Sequence, residues 1–135
     1  NEASQSVPGL EEAEILEIID HHRLGSLETV GPVYFRNQPV GCTATIIYDM
    51  YKEHGVVPDK TIASLLCSAI ISDTLLFRSP TCTWIDRAAG EELAKIAELD
   101  MEELAQNMFQ AGSNLKGKTA EEIVNDIFSR FCVGK

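Results

Sequence analysis

The sequence has few basic residues, and they form no run. Eleven lysines and arginines stand against 21 aspartates and glutamates, which gives a net charge of −10 over 135 residues. Long nucleic acids and anionic membranes bind clustered cations, so the composition disfavours both as unaided partners. An acidic protein can still take a phosphate substrate if bound metal ions reverse the local field. Metal-assisted phosphate chemistry therefore stays open.

The sequence also lacks a membrane-spanning run and a paired-cysteine motif. The longest apolar stretch, residues 62–77, is too short to cross a bilayer and is interrupted by Asp73. The spacing of the four cysteines disfavours a zinc site or a disulfide framework, and buried thiols in a reducing compartment are the better interpretation. These cysteines are Cys42, Cys67, Cys82 and Cys132. No signal peptide is recognisable, so we expect a cytoplasmic protein.

Two short strands are predicted near the start of the chain. Residues 14–19 are β-branched and mostly apolar and lead into Asp20, which indicates a buried strand. Residues 29–36 predict a second strand after a turn at Gly25. Strands followed by helices indicate an α/β fold, here a small parallel sheet flanked by helices. Because two or three strands are few for an open sheet, we expect residues outside this chain to complete it.

Helical patterns follow the strands. Residues 42–54 predict a helix that stops before Gly55, and residues 61–72 are apolar on nearly all sides, which predicts a buried helix. The starts of three later helices are predicted, each by a side chain that can accept a hydrogen bond and an acidic residue three positions after it. These pairs are Thr83 with Asp86, Asp100 with Glu103, and Thr119 with Glu122.

Asp20, His21 and His22 follow the first predicted strand directly. Groups just beyond the carboxyl ends of strands line the ligand crevice of open α/β sheets. A neutral imidazole can bind a metal ion, and a protonated one can donate a proton near neutral pH. The tripeptide therefore favours a metal or acid–base site. A solvated loop that happens to contain two histidines is the alternative, since short motifs give false positives.

Asp73 stands in an unusually apolar setting. It follows the apolar run of residues 65–72, and residues 75–77 after it are apolar again. A carboxylate in such surroundings is costly unless it is paired, protonated or bound to a cation. A metal ion shared with His21 would explain both residues. A helix cap or a buried hydrogen bond to the backbone is the alternative.

Three blocks of the sequence resemble consecutive blocks of the family II inorganic pyrophosphatases, members of the DHH phosphoesterase superfamily. The blocks are residues 17–23, 39–46 and 68–83. Asn1 and Glu2 also resemble the tail of that family's Asp-His-Asn-Glu motif. The resemblance covers essentially the whole chain, in order and at the right separations. Residues 1–135 are therefore identified as the central part of a DHH metal-binding catalytic domain.

The resemblance implies hydrolysis of inorganic pyrophosphate to two phosphates by a metal-bridged hydroxide, with Mn²⁺ as the ion and Co²⁺ or Mg²⁺ as alternatives. His21 matches a histidine that binds one ion, and Asp73 matches a carboxylate that bridges two. His22 matches the histidine that contacts the substrate and protonates the leaving phosphate. Asp20 is expected to orient the histidines without binding the ion itself.

Other parts of the family pattern are absent from these 135 residues. The N-terminal ligand motif, the bridging aspartate before Asn1 and the C-terminal substrate-clamp domain are missing. Ser129 stands where the family has a substrate-contacting lysine, and Arg130 is the candidate replacement. We therefore expect the 135 residues alone to bind Mn²⁺ weakly and to hydrolyse little. The resemblance also implies a homodimer, with residues 29–36 as a candidate edge strand, and is compatible with a CBS-domain-containing protein.

Two other functions fit the same residues. A DHH-type phosphodiesterase or exonuclease acting on short nucleotides would use the same metals, but it needs a basic or aromatic groove, and Trp84 is the single tryptophan. A non-catalytic regulatory module could retain the fold alone. In that case the complete protein would work without Asp73.

Overall fold

The computed structural model describes residues 1–112, which fall into two compact units. The first unit is Asn1–Pro39, and the second begins at Val40. The first unit holds two 3₁₀ turns and two strands, and the described part of the second holds four helices. The chain is therefore α/β, as predicted. None of the described helices has the length and apolar character needed to cross a membrane.

The first unit contains a two-stranded parallel sheet. Strand β1 (Glu17–Asp20) pairs with β2 (Tyr34–Asn37), with Glu17 opposite Tyr34 and Asp20 opposite Asn37. The parallel pairing and the end of β1 at Asp20 confirm the prediction. The other predicted bounds are wrong, because β1 does not start at residue 14 and β2 does not cover residues 29–36. Both strands extend only where the partner strand lies opposite.

The second unit begins with two helices that the sequence predicts closely. Helix α1 (Thr43–Glu53) has Cys42 as its N-cap and ends before Gly55, which takes a left-handed φ of 65°. Helix α2 (Lys60–Thr74) runs slightly beyond the predicted end at residue 72. The expectation that this helix is buried on nearly all sides is wrong on one face, where Leu65 is 63% exposed.

Helices α3 (Trp84–Ala97) and α4 (Met101–Gly112) start where acceptor–acid pairs predict. Thr83 and Asp86 form both bonds of a capping box at the start of α3. Asp100 Oδ1 accepts hydrogen bonds from the backbone of residues 102 and 103 at the start of α4. These two predicted starts are confirmed. The third, at residue 119, lies outside the described residues.

Helix α2 is the centre of the second unit, since it contacts α1, α3 and α4. Small and branched apolar side chains fill the space between these helices and provide most of its hydrophobic stabilisation. The larger members of this core are Tyr48, Cys67, Ile70, Ile71 and Leu93.

A buried carboxylate, Asp86, ties the start of α3 to α1. Its Oδ2 accepts hydrogen bonds from Gly41 N at 2.8 Å and from Thr83 N and Oγ1 at 2.7 Å each. Its Oδ1 accepts from Thr45 Oγ1 at 2.6 Å. Burial raises the pKa of Asp86, but these hydrogen bonds outweigh it and hold the pKa below its ordinary value of 3.8. The ionised form is therefore the one that the fold stabilises.

The Asp86→Ala substitution is expected to lower the free energy of unfolding of the complete protein by about 3 kcal/mol or more, because several buried donors lose their acceptor. Folding lowers the pKa of Asp86, so its contribution to stability is present above pH 3.8. That contribution is lost as the pH falls through the pKa that Asp86 has in the folded state. Urea unfolding at pH 7 measures the loss. Asp49→Ala is the control, because Asp49 pairs with Lys52 at the surface (2.9 Å) and should cost about 1 kcal/mol at most. Equal losses in both variants would contradict the prediction.

Candidate metal centre

Three side chains able to bind a metal ion meet at the end of β1. Asp20 closes the strand and is 9% exposed, and His21 and His22 follow it. One ligand atom from each of the three lies within 4.8 Å of the other two. The two imidazole centroids are 4.0 Å apart, with the rings tilted by 36°. A solvated loop does not fit a tripeptide that begins with a buried aspartate.

Both oxygens of the Asp20 carboxylate accept hydrogen bonds. Oδ1 accepts from the backbone N–H groups of His21 (2.7 Å) and His22 (3.1 Å) and lies 2.7 Å from His22 Nδ1. Oδ2 accepts from the side-chain Nδ2 of Asn1 at 2.5 Å. Burial raises the pKa of Asp20, and the hydrogen bonds from His22 and His21 act in the opposite direction and lower it. Because these hydrogen bonds use most of the lone pairs of the carboxylate, Asp20 is better suited to orienting the neighbouring histidines than to binding an ion.

His22 is anchored through one ring nitrogen. Its Nδ1 faces Asp20 Oδ1, and its carbonyl oxygen accepts a hydrogen bond from Asn37 Nδ2 at 2.9 Å, from the last residue of β2. A carboxylate beside Nδ1 favours the tautomer with the proton on that nitrogen, which leaves Nε2 for another partner. The side chain is 39% exposed. His22 is therefore held in one orientation and remains accessible.

His21 supplies the imidazole that suits a metal ion. Its Nε2 atom is shielded from solvent, and its backbone N–H is fixed by Asp20. Imidazole nitrogen is a donor that divalent transition metals accept. The residues at the end of β1 therefore fit an ion of this class.

Asp73 lies in the last turn of α2, in the second unit. The thiol of Cys42, which is 2% exposed, hydrogen-bonds to the Asp73 carboxylate, and Cys42 Sγ accepts from Ala44 N at 3.4 Å. Burial first, and the charge of Asp73 second, raise the pKa of this thiol to about 12. The thiol therefore stays protonated at neutral pH and can keep donating. Asp73 is no helix cap, since α2 continues to Thr74.

The backbone directly after α2 is strained. Residues 75–77 have left-handed φ values of 50°, 52° and 64°, and each non-glycine residue in that region costs about 1–2 kcal/mol. Thr74 Oγ1 accepts from Phe77 N at 3.1 Å and stabilises the turn. On α3, a side chain at Gly90 would lie 2.8 Å from the Phe77 ring, so this close packing needs glycine. The turn is therefore held in place right beside Asp73, as strained backbone near functional sites often is.

The structure brings together three of the predicted site residues, which are Asp20, His21 and His22. Asp73 lies in the second unit, and its part in the same site stays a prediction. Arg130 lies outside the described residues. The sequence analysis missed the contacts of Asn1 with Asp20 and of Cys42 with Asp73. Asn1 and Cys42 both lie in segments that carry the family resemblance, and this location was the sequence feature that could have indicated a role for them.

Curated relatives cover nearly the whole of this chain. It is 56% identical over 134 residues to a probable manganese-dependent inorganic pyrophosphatase of Clostridium acetobutylicum, a match that covers 99% of this chain and 43% of the relative. It is 53% identical over 133 residues to a cobalt-dependent inorganic pyrophosphatase of Clostridium perfringens, which covers 98% of this chain and 24% of the relative. The chain thus spans less than half of the length of these relatives.

A solved structure shows the same fold. The crystal structure of a Methanococcus jannaschii protein, provisionally assigned as a family II inorganic pyrophosphatase, matches with a TM-score of 0.76 at 39% identity. The match covers 90% of this chain and 42% of the other. The described residues therefore have a fold similar to that of the Methanococcus jannaschii protein.

The sequence pattern described as "DHH family, N-terminal domain" matches residues 1–70. This range includes all of the first unit, with the cluster of Asp20, His21 and His22 at the end of β1. It covers more than half of the 135 residues. The chain belongs to the DHH family.

Proposed function

We propose that the complete protein hydrolyses inorganic pyrophosphate to two phosphates and that this chain supplies part of the active site. The observation that carries the proposal is the side-chain cluster after β1, where His22 is anchored on Asp20 at 2.7 Å beside the second imidazole of His21. The similarity to manganese- and cobalt-dependent pyrophosphatases supports this function.

His21 and Asp73 are the proposed metal ligands, and Mn²⁺ is the proposed ion, with Co²⁺ or Mg²⁺ as alternatives. When bound, such ions neutralise phosphate oxygens and lower the pKa of the attacking water. A chain with a net charge of −10 needs this local reversal of charge to accept an anionic substrate. Two strong ligands are fewer than these ions require. The proposal therefore places the remaining ligands and the substrate clamp in other parts of the complete protein.

His22 is the proposed general acid and contacts the substrate. The Asp20 carboxylate holds the Nδ1 proton, so the imidazolium form of the ring gives its Nε2 proton to the leaving phosphate and returns to the neutral ring protonated on Nδ1. Asp20 itself orients the ring and stays ionised, since its hydrogen bonds lower its pKa. Arg130 is proposed as a second substrate contact, in the place of the family's lysine.

A substrate comparison tests this function against a phosphodiesterase or exonuclease. The complete protein is assayed with Mn²⁺ on pyrophosphate and on a short dinucleotide, with phosphate and mononucleotide release as readouts. Cleavage of pyrophosphate without cleavage of the dinucleotide is the expected result. Preferential cleavage of the dinucleotide would favour the phosphodiesterase instead. If neither is cleaved, the non-catalytic module becomes the better account.

We further propose that the complete protein is a cytoplasmic homodimer. Buried thiols at Cys42 and Cys67 suit a reducing compartment. On β2, Tyr34 is 49% and Phe35 44% exposed, so this strand offers apolar surface for pairing with a second copy. Sedimentation of the complete protein should give the dimer mass, and Phe35→Lys should shift it to the monomer.

A further inference from the structure

Asn1 binds the oxygen of Asp20 that His22 does not. Its Nδ2 donates to Oδ2 at 2.5 Å, while Oδ1 lies 2.7 Å from His22 Nδ1. The Asn1 side chain is 6% exposed, so water does not readily take over these bonds. One carboxylate is therefore shared between Asn1 and His22.

Asn1 is itself fixed by the segment that follows the histidines. Its Oδ1 accepts a hydrogen bond from Gly25 N, and its carbonyl oxygen accepts from Leu27 N at 3.2 Å. A side chain at Gly25 would lie 2.9 Å from the Asn1 carbonyl carbon, so the close approach depends on glycine. Both ends of the Asn1 amide are therefore used, which fixes its orientation.

The orientation of this amide decides the orientation of the Asp20 carboxylate. With Nδ2 against Oδ2, the carboxylate plane is fixed, and Oδ1 stays in line with His22 Nδ1. If the Nδ2 donor is lost, Oδ2 is left buried with one partner fewer, and the carboxylate gains by turning toward other donors. The His22 ring then loses its fixed acceptor and with it the preference for one tautomer.

We infer that Asn1 is a positioning residue for the proposed reaction, because it holds the Asp20 carboxylate in the orientation that fixes the ring of His22. The inference rests on the proposed role of His22 as general acid. Asn1 contacts neither metal nor substrate in this account. It acts through Asp20.

The test uses Asn1→Asp in the complete protein. The new carboxylate can still accept from Gly25, but it offers no donor to Asp20. We expect kcat for pyrophosphate to fall by about 10–100-fold with little change in KM. The melting temperature should fall as well, because two buried carboxylates then face each other. In a His22→Gln background the same substitution should cause no further loss, because its effect passes through His22. Asn1→Ala serves if Asn1→Asp does not fold, and Gln5→Ala, at an exposed position of the same unit, is the control.

Nitrogen-15 NMR of labelled histidine gives an independent readout. His22 in the wild-type protein should show a protonated Nδ1 and an unprotonated Nε2 when the ring is neutral, and Asn1→Asp should show a mixture of tautomers. Equal losses of kcat in both backgrounds, or an unchanged His22 signal in a folded variant, would overturn the inference. If the wild-type protein does not hydrolyse pyrophosphate, the proposed function fails, but the NMR signal still decides whether Asn1 sets the tautomer.

Discussion

The Asp73→Ala substitution is expected to abolish pyrophosphate hydrolysis by the complete protein. If Asp73 is the bridging carboxylate that the family resemblance implies, alanine would remove a ligand that water could not replace. We therefore expect the rate of pyrophosphate hydrolysis to fall by about 10³-fold or more. Loss of a residue that only orients a metal ligand costs less, about 10–100-fold. The Mn²⁺ affinity, measured by titration, should fall as well. The thiol of Cys42 would lose the acceptor that it now has.

The control for this substitution is Asp49→Ala, on α1, where the carboxylate makes a surface ion pair with Lys52 at 2.9 Å. It should leave both activity and Mn²⁺ affinity near the wild-type values. If Asp73→Ala is folded and hydrolyses pyrophosphate like the control, Asp73 is not a metal ligand. In that case a non-catalytic or differently built site becomes the better account.

The His22→Gln substitution is expected to lower kcat by about 10²–10⁴-fold, the usual contribution of a positioned general acid. Glutamine keeps a polar group near Asp20 but cannot carry a proton to the leaving phosphate. Mn²⁺ affinity should stay close to the wild-type value, whereas His21→Gln should weaken it and should be partly rescued by excess Mn²⁺. Steady-state kinetics with a metal titration separates the two histidines.

His54→Gln provides the matched control for both histidines. His54 is exposed at the C-terminal end of α1, where its Nδ1 lies 2.8 Å from Met50 O. Its replacement should change neither kcat nor metal affinity. A His22→Gln protein with activity within a few-fold of this control would show that the leaving phosphate does not take its proton from His22.

The sequence was a good guide to what local chemistry decides. The capping box of Thr83 and Asp86 and the stop of α1 before Gly55 follow from backbone donors and acceptors that lie close in the chain. The end of β1 at Asp20 follows from the apolar run before it. These features need no knowledge of distant partners, which is why they could be predicted.

Features that depend on distant partners could not be predicted. The bond from Thr45 to Asp86 joins residues 41 positions apart, and its existence depends on how α1 packs on α3. The contact of Asn1 with Asp20 spans 19 positions in the same way. The left-handed turn of residues 75–77 contains no glycine, so no residue type marked it. Its selection depends in part on tertiary packing, since the Phe77 ring lies against Gly90 of α3.

The most direct test of the central claim is phosphate release from pyrophosphate by the complete protein after removal of its metal ions. The chelated protein should be inactive, and addition of Mn²⁺ should restore phosphate release in the wild-type protein and in Asp49→Ala but not in Asp73→Ala. Full hydrolysis by the chelated protein would contradict metal-dependent hydrolysis, and restoration of Asp73→Ala to the wild-type rate would contradict the proposed role of Asp73 as a metal ligand.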